Sequence, residues 1–510
     1  MSLKKFLSAV VAAAMLLTCS AASVFAAKDP NTEIDGDYSD GTLIYEKVYG
    51  GYSVKSVDRE LQMQKFAIAE KINGYKIVEI GVQAFAGCES LKEITLPSTV
   101  KKIGAGAFVS CTELKKVTLS EGLEEIVDGA FAGCYSLESI NLPNSLRTIG
   151  MYAFESCVSL KNLSIPGNLT SLDVNAFIGM DRVENLTAQG NFVVENGMLM
   201  DSEKTVIYLT TADVFGAVNM PDTVTQIAIS AFSNCDSMTE INLSKNITQI
   251  PPHTFYGCVE LTKIDIPEGV TSIGQQAFDG CKALKEASVP RSVKIIGEQA
   301  FGSCYSLEKV TLNEGLEEIG KFAFLFCNNL KDIKLPDTLK KIGEAAFIGC
   351  TELSGIHIKS NVETIEKYAV GFDSPDGDKV AVIPKFVIKA EAGSAAEKYA
   401  RQNDIKLKTS GINVKQIVFI GICVAIVALT VTLGVQIMRK DDTPSAEEED
   451  GTKADGEDDD EDEDGEEYAD YKSILENADE DENEDDEDDD DDDDEEVTEE
   501  DEVGEKSDEL

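Results

Sequence analysis

The side chains best suited to chemistry are ten cysteines, at 88, 111, 134 and 157 and then at 235, 258, 281, 304, 327 and 350, one fixed 23-residue step apart within each run. Thiols in such numbers could form a disulfide framework, hold zinc or supply a nucleophile. A disulfide needs Cβ atoms that face one another, whereas equivalent side chains on stacked copies of a repeat point the same way. Zinc sites and nucleophilic thiols commonly recruit histidine, and the 510 residues contain only His253 and His357. His253 reads as a surface residue just before Thr254-Phe255, and His357 as an outward position of a strand. The cysteines therefore read as small buried thiols forming one column of a stacked core. No catalytic, cofactor-binding or metal-binding residue is expected, and the protein is not expected to be an enzyme.

That column implies elements that repeat with the same period. Phe stands three positions before each of these cysteines, at 85, 108, 131 and 154 and again at 232, 255, 278, 301, 324 and 347, while Phe177 is followed by Met180 in the cysteine slot. A unit this short cannot bury its own apolar residues, but stacked copies align them into continuous columns, which predicts a solenoid. Segments such as Leu91-Lys92-Glu93-Ile94-Thr95-Leu96 end in the alternation of a strand, so successive copies should pair as a parallel sheet. The Ala-Phe-x-x-Cys stretch should form a short helical turn or an irregular arc with its Phe inside. Prolines 97, 143, 166, 267, 290 and 336 mark the turn after the strand. The fold class expected is a β-rich α/β solenoid of 23-residue repeats with a parallel β-sheet, plus one transmembrane helix and a disordered acidic tail.

The pattern resembles the BspA-like, or type 5, leucine-rich repeats of bacterial surface proteins over about residues 72 to 370. Asn73-Gly74-Tyr75 resembles the usual entry to such arrays and Gly393-Ser394-Ala395-Ala396-Glu397-Lys398-Tyr399-Ala400 the usual closing segment. The resemblance implies an extracellular or surface-attached protein that adheres to or binds host proteins, and it carries no catalytic residues. The array is interrupted once, since the step from Phe177 to Phe232 is two periods plus nine. Residues 190–215 read as short hairpin strands around Asn196-Gly197, and they either project from the solenoid or form an irregular coil within it.

The outward strand positions are the natural ligand-facing set. They are Thr95, Thr118, Asn141, Ser164, Asn242, Asp265, Ser288, Thr311, Lys334 and His357, flanked by lysines and carboxylates. The face is polar, of mixed charge and poor in the Tyr, Trp and Arg of tight protein hot spots.

The two ends have different compositions. Residues 1–27 pair Lys4 and Lys5 with an apolar run and a small-residue exit, the pattern of a secretory signal peptide. The run Ile417–Met438 carries no charge and is long enough to span a bilayer, and Arg439-Lys440 behind it favours a cytoplasmic C-terminal side. Of the net charge of −49, −40 lies in residues 441–510, with 43 acidic and 3 basic residues. Such a tail cannot bury enough apolar surface to fold, and the absence of a basic stripe excludes nucleic acid as a partner.

The expected organisation is thus 1–27 signal peptide, 28–80 N-terminal cap, 81–180 repeats, 181–220 hairpin-like insert, 221–372 repeats, 373–410 C-terminal cap, 415–438 membrane helix and 439–510 cytoplasmic tail. The repeats would be extracellular, with a protein or glycan as partner. The tail island Tyr468, Tyr471, Ile474 and Leu475 could dock a cytoplasmic protein, making the chain a transmembrane sensor or scaffold instead of an adhesin.

Overall fold

The computed structural model describes residues 33–34, 37–58, 64–374, 379–410 and 421–432. Met1–Leu429 forms one compact unit, and of the second, Thr430–Leu510, only 430–432 are described. The signal segment, the tail and its island lie outside the described residues. Residues 421–432 are helical with exposed side chains. No helix among the described residues is long and apolar enough to cross a membrane. The ends of the 415–438 segment lie outside them.

Each regular coil contributes to two parallel ladders rather than the single sheet expected. In the main ladder, Lys65–Ala67, Glu93–Thr95, Lys116–Thr118 and Ser139–Ile140 pair in sequence. In the second, Tyr75–Ile80, Lys102–Ile103, Glu125–Ile126, Thr148–Ile149 and Ser171–Leu172 do the same. The second array repeats both, from Phe215–Asn219 to Asp332–Ile333 and from Gln249–Ile250 to Thr364–Ile365. Strand residues alternate out and in because successive side chains leave a strand on opposite faces.

The Phe-containing arc is not helical. It is a run of turns whose amides bond from coil to coil: Phe108 N–H donates to Ala130 O, Phe131 to Ala153 and Phe255 to Ala277, each at 2.8 Å. Residues two before and two after the Phe adopt left-handed backbone, as at His253 (φ 55°) and Gln276 (φ 51°) before it and Ser110 (φ 59°) and Asn234 (φ 55°) after it. Two left-handed residues turn alternate amides toward the neighbouring coil, which satisfies backbone groups that burial would otherwise orphan.

The core is built of columns. The Phe rings stack at 5.0–5.8 Å between centroids from Phe85 to Phe177, and again at 5.0–5.5 Å from Phe232 to Phe347. The break falls at the insert. There Phe192–Glu195, Met198–Asp201 and Val206–Thr210 form antiparallel strands, and Val206–Thr210 then pairs parallel with Gln226–Ile227. Met198, Leu199, Met200 and Ile207 are buried, so the insert is packed into the stack.

The stack is closed at both ends by other elements. Leu43–Val48 and Gly51–Val57 form an antiparallel pair, and the latter runs parallel to Tyr75–Ile80. At the far end the helix Ala395–Gln402 is capped by Ser394, which accepts Glu397 N–H at 3.3 Å, while Gly393 N–H donates to Glu397 Oε2 at 2.6 Å. The strand Lys406–Ser410 follows the helix and pairs with Val387–Glu391, which in turn pairs with Gly355–Ile358. The helix expected to close the array is therefore followed by one further strand.

Candidate functional site

The outward column forms because the inward neighbours of each member are core residues. Ile94 and Leu96 flank Thr95, Ile264 and Ile266 flank Asp265, and Ile356 and Ile358 flank His357, all buried. All ten positions, Thr95, Thr118, Asn141, Ser164, Asn242, Asp265, Ser288, Thr311, Lys334 and His357, are exposed. They do not converge on a point. Within each paired run of strands they follow one another at about the 4.8 Å separation of neighbouring strands. Hydrogen bonds within the column join like to like: Thr187 donates to Ser164 Oγ at 2.9 Å, and Asn242 Nδ2 to Asn219 Oδ1 at 2.7 Å. Asn219 and Thr187 belong to the column but were missed, because the insert hides their register; the 23-residue steps from Asn242 and Ser164 could have found them.

The main sheet is divided three times, first between Ser139–Ile140 and Asn162–Ile165. Between Asn185–Ala188 and Phe215–Asn219 lies a cleft of about 610 Å³ lined by Thr187, Asn196, Asp213, Phe215 and Asn219. A second of about 480 Å³ lies between Asp332–Ile333 and Gly355–Ile358, with Lys331, Lys334, His357, Lys359, Lys389 and Lys408 around it.

The two histidines stand in different environments. His357 is exposed on its strand. His253 is half-buried in the arc rather than on the surface, because its left-handed backbone turns it toward Tyr256, 6.0 Å away ring to ring, and burial lowers its pKa. Among the described residues no group of three His, Cys, Asp or Glu is placed to hold a metal ion.

All ten repeat cysteines carry unbridged thiols, and nine are buried. Their role exceeds filling space. Cys111 donates its thiol hydrogen to Phe85 O at 3.0 Å, Cys258 to Phe232 O at 3.1 Å and Cys327 to Phe301 O at 3.1 Å, each reaching one coil back. Burial pushes the thiols of Cys134, Cys157, Cys258, Cys281, Cys304, Cys327 and Cys350 up, and that of Cys235 up to about 12. A thiol so raised is a poor nucleophile. The arc also buries Asp279, which burial pushes up to about 6 against hydrogen bonds from Gln299, Ser303 and Gly280.

These features match known proteins in their repeat. The family model described as the BspA type leucine-rich repeat region matches in six copies, over residues 78–204, 214–312 and 271–374, more than half of the chain. Similar solved structures include a leucine-rich repeat protein from Eubacterium ventriosum, 25% identical with a TM-score of 0.48, over 60% of this chain and 92% of that one. A leucine-rich cell surface protein from Faecalibacterium prausnitzii is 23% identical with a TM-score of 0.37, over 54% and 94%. The pneumococcal vaccine antigen PcpA is 19% identical with a TM-score of 0.45, over 75% and 100%. No curated protein matches the chain. The matched residues span the stacked coils that carry the Phe and Cys columns, and the chain belongs to the BspA-type leucine-rich repeat family.

Proposed function

We propose that this is a single-pass surface protein that binds an extended protein or glycan ligand along its outward strand column. The observation that carries this reading is the column itself: ten exposed, mostly hydroxyl, amide or charged side chains in one line over a sheet whose other face is core. A line of weak polar groups suits many small contacts better than one deep pocket. The apolar run Ile417–Met438 followed by Arg439-Lys440 supports a membrane anchor with the repeats outside and the tail inside.

The test is retention. The full chain, reconstituted in lipid discs and immobilised, is expected to hold at least one member of a panel of matrix proteins and cell-wall glycans. Replacing Thr118, Asn141 and Asn242 together by Arg should abolish that retention with melting unchanged. No retention across the panel, or retention indifferent to the column, overturns the reading. The sensor or scaffold alternative rests on the tail, and it predicts cytoplasmic co-purification that is lost when residues 466–478 are removed.

A further inference from the structure

Charge on the strands follows a rule. In the main ladder Glu240, Lys263, Glu286, Lys309 and Asp332 are register neighbours and alternate in sign. Lys65, Glu93 and Lys116 alternate in the same way at the other end. The second ladder repeats the pattern with Glu79, Lys102 and Glu125. Opposite charges on facing strand positions attract and like charges repel, so alternation is the stabilising arrangement.

Apart from the Lys71–Lys76 pair of the entry hairpin, the rule fails at the closing strands. His357, Lys389 and Lys408 are register neighbours on three successive strands, and Lys334 precedes His357 by one 23-residue step. All four are exposed. Lys331 and Lys359 nearby are neutralised by Glu308 and Asp337, whereas no ion pair to a carboxylate holds Lys334, Lys389 or Lys408 among the described residues. The four basic side chains line the cleft of about 480 Å³, where Asp332 is the one carboxylate and faces Lys309 in register. Under them Gly355 lies so close to the next strand that a Cβ would be 2.4 Å from Val387 O, which leaves the cleft floor bare.

We propose that Lys334, His357, Lys389 and Lys408 bind a linear acidic glycan, a carbohydrate polymer carrying carboxylate or phosphate groups along its length. This rests on the outward column being the binding face and names the ligand class for its C-terminal end. Basic side chains side by side on neighbouring strands, with no carboxylate bonded to Lys334, Lys389 or Lys408 among the described residues, repel one another unless an anion lies across them. His357, Lys389 and Lys408 stand at strand spacing with Lys334 across the cleft, a line that matches a polymer rather than a single ion. The line continues through Thr311 and Ser288, hydroxyls able to bond sugar hydroxyls, to Asp265. The cleft lacks Tyr, Trp and Arg, the side chains that anchor a protein partner.

The experiment uses the full chain in discs of zwitterionic lipid and measures binding to polygalacturonate and to poly(glycerol phosphate). Fully methyl-esterified polygalacturonate, polyglutamate and anionic vesicles serve as comparisons. Binding to at least one acidic glycan is expected, weakening as salt rises, and the two glycan arms separate carboxylate from phosphate recognition. The triple variant Lys334→Gln/Lys389→Gln/Lys408→Gln should bind about 10-fold or more weakly, and Lys389→Gln or Lys408→Gln alone about 3-fold more weakly. Lys161→Gln, which removes a lysine already paired with Glu184, should leave binding unchanged. Loss of like-charge repulsion means the triple variant should melt no lower than the parent chain.

Equal binding by the triple variant, no binding to either acidic glycan, or equal binding to polyglutamate or anionic vesicles would overturn the proposal. A chain that ignores acidic glycans but retains another panel member through Thr118, Asn141 and Asn242 defeats this inference alone. One that retains nothing defeats the broader reading as well.

Discussion

Cys281 donates its thiol hydrogen to the carbonyl oxygen of Phe255, 3.2 Å away and one coil back, while the same carbonyl accepts the amide of Cys258 at 3.3 Å. The carbonyl thereby uses both lone pairs inside the core. The repeat cysteine thus has two tasks, to fill a column and to tie each arc to the one before it.

The thiol state follows from this packing. Burial raises the thiol pKa from Cys134 to Cys350, so a thiol reagent should leave these cysteines almost untouched in the folded protein at pH 8. After denaturation without reductant, all ten repeat thiols should react. Reaction of fewer than about half would show that they are oxidised in pairs and would sink the hydrogen-bonded arrangement.

Phe278 tests the column. It is stacked on Phe255 at 5.3 Å and on Phe301 at 5.0 Å, and it is fully buried. Phe278→Ala should cost about 3–5 kcal/mol in urea denaturation, because the cavity lies between two coils that cannot both collapse into it. Replacing the first ring of the stack, Phe85→Ala, removes only one stacking partner, Phe108, and should cost less.

Asp279 should make stability depend on pH. Its folded pKa of about 6 lies above the ordinary value of 3.8, so the folded state holds the proton more tightly than the unfolded one. Its contribution is therefore fully present below about pH 3.8 and is lost as pH rises toward 6. Asp279→Asn, which keeps an acceptor for Gln299, should stabilise the protein at pH 7 by on the order of 2–3 kcal/mol and change little near pH 3.5. A stability difference that does not vary across this range in chemical denaturation would contradict the assignment.

Topology can be read by proteolysis. Protease added outside intact cells should degrade the repeats and spare an epitope placed after Lys440. Loss of that epitope before the repeats would reverse the proposed orientation, which rests on the positive charges of Arg439 and Lys440.

Much of this fold was legible because a constant interval superposes like residues. Once Phe and Cys recur with a single period, stacking aligns Phe108 over Phe131 and Cys111 over Cys134, and the outward column from Thr95 to Thr118 follows without knowledge of any contact. The capping helix at Ser394 was legible for a different reason, since the spacing to Glu397 is a local signal.

Other features needed the tertiary structure, and in each case the interval or the backbone departs from the repeat. Val206 pairs with Gln226 over less than one period, so the insert re-enters the stack at an offset that only its antiparallel strands set. His253 reads as a surface residue until its left-handed backbone turns it into the arc. Lys389 lies more than one period after His357, and Lys408 less than one period after Lys389, so no constant interval relates them. Hydrogen-bonded register through the closing strands brings the three side by side, because strand pairing joins residues by backbone geometry whatever the length of chain between them.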